Sequence, residues 1–159
     1  MRRRSVGITF AAIVLGALSA HAPLGAQSRR GDVSLDTVTF APALDVDIAA
    51  SKRITRGLYV RDFIEGAGRW VHRGDEVTVR FTGSLADGQP FTAPNESPVA
   101  FKLGARTVIE GWERGITGMR VGGRRQLIIA PDLGYRDKQQ GPIPPYSVLV
   151  FEIELLSVK

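Results

Sequence analysis

Only one stretch of this chain has the period of a helix, and the segments around it alternate like strands. Val108, Trp112 and Ile116 recur at i, i+4 and i+8, and Ile109 and Met119 widen the same stripe. Glu110, Glu113 and Arg114 fall on the other side, where water can solvate them. Gly115 and Gly118 weaken helix propensity soon after, which predicts a helix of only two or three turns. Gly111, beside the tryptophan, lets other backbone come close. On this stretch alone, Trp112 is either a core residue of an amphipathic helix or the floor of a pocket.

The strand signals surround that helix. Gly57 to Phe63 reads as a strand, followed by a turn at Glu65-Gly66-Ala67-Gly68. Val77, Val79 and Phe81 alternate with Thr78, Arg80 and Thr82, the pattern of a half-buried strand. Asp87-Gly88 marks a turn, and Val99, Phe101 and Leu103 alternate again. After Gly122-Gly123, Arg124 to Ala130 forms another strand. Pro131 to Pro145 is a loop rich in Gly and Pro. From Ser147 to Val158, Leu149, Phe151, Ile153 and Leu155 share one face and Glu152 and Glu154 the other. Strands, one short helix, then strands predict an α+β fold, an antiparallel sheet burying one face against the helix.

At 159 residues and 43% hydrophobic content, the chain fits one domain with appendages. It has no cysteine, which excludes disulfides and thiolate chemistry. His72 is the only histidine outside the N-terminal leader, so neither a zinc site nor a Ser-His-Asp triad is expected. The formal charge of +5 includes Arg2, Arg3 and Arg4; without them it falls to +2, too little to argue for nucleic acid. Those arginines precede an apolar run from Val6 to Ala20, and Ala20-His21-Ala22 matches a cleavage site, with Leu24-Gly25-Ala26 a second candidate. Residues 1–26 are therefore read as a signal peptide, and export to the periplasm or beyond is expected. A retained membrane anchor is the alternative, although the run is short for a span of about 20 residues. Residues 27–52 mix Arg, Asp, Ala and Pro without sustained period and are read as a flexible linker. Residues 53–159 make the folded domain. Nothing after the linker advertises an interface, so a monomer is expected.

Several segments then recur in an ordered set. They are Gly74 to Gly83, Leu85 to Phe91, Val108 to Glu113, Gly118 to Gly122, Ile129-Ala130-Pro131, Ile143-Pro144-Pro145 and Leu149-Val150-Phe151. Together they resemble the FK506-binding (FKBP) type peptidyl-prolyl cis-trans isomerases, from about residue 55 to the end. The resemblance implies a curled five- to six-stranded antiparallel sheet wrapped around one short helix, with a shallow apolar pocket between them. It makes Trp112 the pocket floor. Phe81, Phe91, Val99, Val108, Ile109, Tyr135, Ile143 and Phe151 become the walls, with Thr92 among the substrate-binding positions. The Ile109 N–H and the Tyr135 hydroxyl are the expected donors to peptide carbonyls. Without the resemblance, Phe81, Val99 and Phe151 are equally well core residues, and Tyr135 is a surface tyrosine. Arg124-Arg125 reads as a solvated edge. Two positions depart from better-studied members: Phe81 stands where they carry Tyr, and Thr92 where they carry Asp. Losing both polar groups together avoids stranding one of them unpaired and makes that side of the pocket less polar.

The resemblance implies proline-containing polypeptides as substrates and FK506-like macrolides as ligands. Rotation about X–Pro faces a barrier of about 18–20 kcal/mol and takes tens to hundreds of seconds unaided. It moves no proton and forms no bond, and this sequence offers no nucleophile, metal or poised base. No cofactor is expected. A binding module that holds Pro-containing segments with little turnover is the rival reading, motivated by the missing Asp.

Overall fold

The computed structural model describes residues 33–93 and 97–159. The leader expected over residues 1–26 lies outside the described residues. Six strands form one sheet: β1 (Lys52–Thr55), β2 (Leu58–Ile64), β3 (Glu76–Leu85), β4 (Val99–Lys102), β5 (Arg124–Ile129) and β6 (Leu149–Val158). Their order across the sheet is β1-β2-β5-β6-β3-β4, and every neighbouring pair is antiparallel. One short helix, α1 (Glu110–Gly115), lies on the sheet. This is the α+β arrangement that the alternating segments predict. Charged Lys52 and Arg53 suit β1 to its place at the sheet edge.

The alternation of β6 fixes its register. Leu149, Phe151, Ile153 and Leu155 are buried in the main core with α1, while Glu152 and Glu154 point the other way and stay partly exposed. β6 pairs with β5 on one side and β3 on the other, so Phe151 stands beside Leu127 and Gly83.

α1 is six residues long, shorter than the two or three turns its apolar period suggests. Ile109 has φ −60° and ψ 151°, which is extended backbone, so Val108 and Ile109 precede the helix rather than open it. At the other end Gly118 takes φ +79° and its N–H donates to the carbonyl of Val71, which ends the helix. The helix glycines serve side chains rather than backbone. A Cβ on Gly111 would lie 2.6 Å from the Ile129 side chain, and one on Gly115 would lie 1.7 Å from Leu127. Both partners belong to β5 and are fully buried.

The segment expected to be a linker is packed against the sheet. Residues 33–51 contain 3-10 turns at Leu35–Thr37 and Pro42–Leu44. Leu35 is 2% exposed and packs with Tyr59, Ile128, Ala130 and Val148, joined by Val38, Phe40, Val46 and Ile48. The physical reason lies in β2 and β5. Leu58-Tyr59-Val60 and Leu127-Ile128-Ile129 are buried at consecutive positions, so both faces of these strands need a cover. α1 covers one face and residues 33–48 the other. Hydrogen bonds secure this strap: Gln126 Nε2 donates to Leu44 O at 2.7 Å, the Tyr59 hydroxyl to Asp36 at 2.8 Å, and Ala41 N–H to Ala86 O at 2.8 Å.

Arg125 also departs from its reading as part of a solvated edge. Its side chain is 11% exposed, forks onto both carboxylate oxygens of Asp62 at 2.6 and 2.8 Å, and donates to Gly115 O at 2.9 Å. It thereby ties β2, β5 and the end of α1 together.

Gly115→Ala should lower the unfolding free energy by about 1–3 kcal/mol, because the new methyl overlaps a side chain that has nowhere to move. Urea denaturation checks this; an unchanged midpoint would mean that α1 does not sit this close to β5.

Candidate active site

The site is built on the indole of Trp112. Helix α1 presents it to the sheet, where it is 6% exposed. Phe81 from β3 and Phe151 from β6 meet it edge-on, with ring centroids at 4.7 and 5.2 Å and planes inclined at 83° in each case. Phe101 from β4 lies 5.8 Å away, tilted by 43°. Phe91 meets Phe151 at 5.4 Å. Each such pair contributes about 0.5–1.5 kcal/mol beyond the area it buries. The indole N–H is buried without a hydrogen-bond partner among the described residues, a cost that this packing offsets.

A cavity of about 680 Å³ opens beside these rings. All ten residues singled out from the sequence line it. Phe81, Val99 and Phe151 come from strands, Trp112 from α1, and Val108 and Ile109 from the approach to the helix. Phe91 and Thr92 come from the connection after β3, and Tyr135 and Ile143 from the loop before β6. Trp112 is thus both a core residue and a boundary of the cavity. The cavity also takes in Thr107, Gln140, Gly141 and Pro142, which the sequence reading left out of the site. The Gly-Pro pair was the available signal. Gly141 has φ +53° and Gln140 and Ile143 exchange backbone hydrogen bonds at 3.0 and 2.9 Å, a tight turn that brings this tip of the loop to the cavity.

Gly83 explains the opposite wall. A Cβ there would lie 2.3 Å from the Phe91 ring and 2.9 Å from Phe151, so only glycine lets both rings close over β3. Phe91 N–H donates to Gly83 O at 3.0 Å, and Gly83 N–H donates to the Thr92 hydroxyl at 2.9 Å. Thr92 therefore satisfies a backbone donor that would otherwise be unpaired, and Phe81 presents no hydroxyl that needs a partner.

Both donors expected from the sequence face the cavity unused. The Ile109 N–H and the Tyr135 hydroxyl make no hydrogen bond to the described residues. Tyr135 is half-buried, and burial pushes its hydroxyl above the usual pKa of 10, so it stays a neutral donor at physiological pH. Arg136 N–H donates to Pro131 O at 3.0 Å and Lys138 N–H to Tyr135 O at 3.1 Å, which holds the tyrosine in place. Among the described lining residues there is no carboxylate, imidazole, thiol or ammonium group. The arrangement can bind an apolar ring and hydrogen-bond a carbonyl, and it offers no group for proton transfer or covalent attack.

A family model described as FKBP-type peptidyl-prolyl cis-trans isomerase matches residues 68–156. The chain belongs to this family. The FK506-binding protein of Neisseria meningitidis serogroup B is 41% identical over 105 residues, covering 64% of this chain and 96% of that protein. The FK506-binding protein 4 of Chaetomium thermophilum is 41% identical over 108 residues, covering 67% of this chain but only 22% of its own length. The chain thus spans less than a quarter of that relative. Among solved structures, FkpA from Escherichia coli superposes with a TM-score of 0.63 at 36% identity, over 70% of this chain and 52% of that one. A peptidyl-prolyl cis-trans isomerase from Pseudomonas syringae gives 0.62 at 32% identity, over 70% and 82%. The FKBP family match begins after the strap, β1 and β2, so the strap lies outside it while Ile128, Ala130 and Val148, against which it packs, lie within.

Thr92→Val should destabilise the fold by about 1 kcal/mol by orphaning the Gly83 N–H, whereas Thr92→Ser should cost little. Thermal melts of the pair decide it. Equal melting temperatures would show that the hydroxyl does not hold that amide.

Proposed function

We propose that this chain is a peptidyl-prolyl cis-trans isomerase that assists folding of exported proteins as a monomer. The observation that carries the reading is the aromatic cavity, in which the Ile109 N–H and the Tyr135 hydroxyl are unused and Tyr135 is the only ionisable group among the described lining residues. The planar X–Pro amide owes its barrier to resonance, and resonance separates charge. Apolar walls therefore favour the twisted amide, whose charge separation is smaller. Phe81, Phe91, Val99, Val108, Ile143 and Phe151 enclose the proline ring over Trp112. The Ile109 N–H and the Tyr135 hydroxyl hold the carbonyls on either side, and Thr92 keeps the Phe91 connection in register. Tighter binding of the twisted state than of either planar state accelerates rotation without any bond being made. Each tenfold in rate requires only about 1.4 kcal/mol of that difference.

Family membership, and relatives that carry the name FK506-binding protein, support proline-containing segments as substrates and FK506-like macrolides as competitors. The basic, then apolar, then small-residue pattern of residues 1–26 supports export. Phe81 and Thr92 favour a second reading, a chaperone-like module that binds Pro-containing segments with little turnover.

A protease-coupled assay on a Suc-Ala-Leu-Pro-Phe peptide separates the two. Turnover above background that FK506 suppresses is the expected result. Activity equal to background at micromolar protein, with aggregation of an unfolded client still suppressed, would leave only the binding module. Tyr135→Phe should reduce kcat/KM about three- to tenfold, the worth of one neutral hydrogen bond; an unchanged value removes Tyr135 from the mechanism. The Phe81→Tyr and Thr92→Asp pair should raise kcat/KM if the departures limit the rate. Because burial raises the Tyr135 pKa above its usual 10, a pH–rate profile should stay flat through neutral and mildly alkaline pH, and any loss from its ionisation should set in at higher pH than for a free tyrosine.

A further inference from the structure

A second recess of about 590 Å³ adjoins the aromatic cavity, and Val108 lines both. Its other lining residues are Arg73, Arg106, Glu110, Glu113 and Arg114, three guanidinium groups against two carboxylates. The carboxylates are already engaged. Glu110 pairs with Arg114 at 2.6 Å, one turn apart on α1. Glu113 accepts the N–H of Gly104 and, at 2.8 Å, the N–H of Arg106. The side chains of Arg73 and Arg106 make no ion pair or hydrogen bond to the described residues.

Both free arginines are held by their surroundings. Arg106 has φ +58°, a left-handed conformation that disfavours non-glycine residues, and Glu113 fixes its backbone there. The Arg73 side chain lies across Gly104, where a Cβ would meet its Cγ at 2.7 Å and its Nε at 3.0 Å. The absence of a side chain at Gly104 is what lets the Arg73 stem take this path.

We infer that this recess is a specificity subsite for the carboxylate of an Asp or Glu close in sequence to the client's proline, held by Arg73 and Arg106. The inference rests on the reading of the aromatic cavity as the proline site. A polypeptide seated there must leave past Val108 or across the opposite rim, and the Val108 exit carries a net positive charge. Acidic flanking residues are drawn to it, and basic ones are repelled. The neutral cavity supplies the affinity for proline, and the recess selects among proline-containing sequences.

The test uses fluorescein-labelled Ala-Leu-Pro-Phe peptides in which one Glu is moved through the flanking positions, each against its Gln counterpart. Affinity is read by anisotropy and turnover by the coupled assay. The Glu peptide should bind about threefold to tenfold tighter than its Gln counterpart for at least one position, as expected for one or two exposed charge contacts at low salt. The preference should shrink toward unity in about 0.5 M salt, where the screening length falls to a few ångströms. It should also vanish in the Arg73→Gln and Arg106→Gln double variant and turn in favour of a Lys peptide in the Arg73→Glu and Arg106→Glu double variant. Equal affinities at every position, or a Glu preference that survives the double variant, overturn the subsite. The two readings fail separately. A Glu preference in binding with no turnover of any peptide removes the isomerase and keeps the subsite; turnover with no Glu preference does the reverse.

Discussion

The contact between α1 and β5 sets the geometry of everything the site contains. Gly111 and Gly115 bring the helix so near the sheet that Ile129 and Leu127 occupy the space of their missing side chains. Each glycine costs a helix interior about 0.5–1 kcal/mol relative to alanine. Two of them in six residues leave a helix that could not persist alone, since isolated helices under about 12–15 residues are marginal. Packing against fully buried Leu127 and Ile129 supplies what local propensity lacks. The depth of that seat decides how far Trp112 descends, and so whether its ring meets Phe81 and Phe151 edge-on or misses them. Arg125 locks the end of the same contact by bonding the Gly115 carbonyl while its other nitrogens hold Asp62 on β2.

A similar economy governs the far wall. Gly83 is the point where β3 yields its side chain so that Phe91 can fold back over the strand. The backbone amide exposed by that choice then needs an acceptor, and Thr92 provides it. Phe81 and Thr92 therefore make one consistent solution rather than two losses: neither leaves a buried polar group without a partner, and the wall they form is more apolar than one with a phenol and a carboxylate. The consequence for chemistry is a cavity in which, among the described lining residues, the only ionisable group is a tyrosine that burial keeps neutral.

How much of this was legible depends on how many faces an element buries. β3, β4 and β6 alternate, and period-two patterning placed them on the chain and assigned their faces. β5 does not alternate. Leu127-Ile128-Ile129-Ala130 reads as a strand but conceals that its outer face is also covered, and that concealed cover is why residues 33–51 looked like a linker. Their apolar residues, Leu35, Val38, Phe40, Val46 and Ile48, are too widely and irregularly spaced to show either period, because two 3-10 turns and extended backbone lay them down one at a time. Arg125 was misread for a related reason: charge alone marks a residue as solvated, and only tertiary contact reveals a fork onto Asp62. At the site, the resemblance named ten positions that share one cavity, yet Gln140 to Pro142 escaped, since a turn's reach depends on where its loop is anchored.

The two covers of β5 have unequal consequences. Ile128 and its neighbours press outward on the strap while Leu127 and Ile129 press inward on α1, so one strand transmits the fit of each side to the other. Interiors packed to crystal density leave little slack to absorb a mismatch. The strap never touches the cavity, but it fixes the strand against which the tryptophan-bearing helix is measured. The family pattern begins at residue 68, after the strap, and contains the cavity residues. The described residues that precede it line none of the cavity: Leu58 and Val60 of β2 join the core around Trp112, and the strap holds β2 and β5 from behind. The site's chemistry is thus confined to one face of the sheet, while the stability that keeps its rings in register is drawn from both.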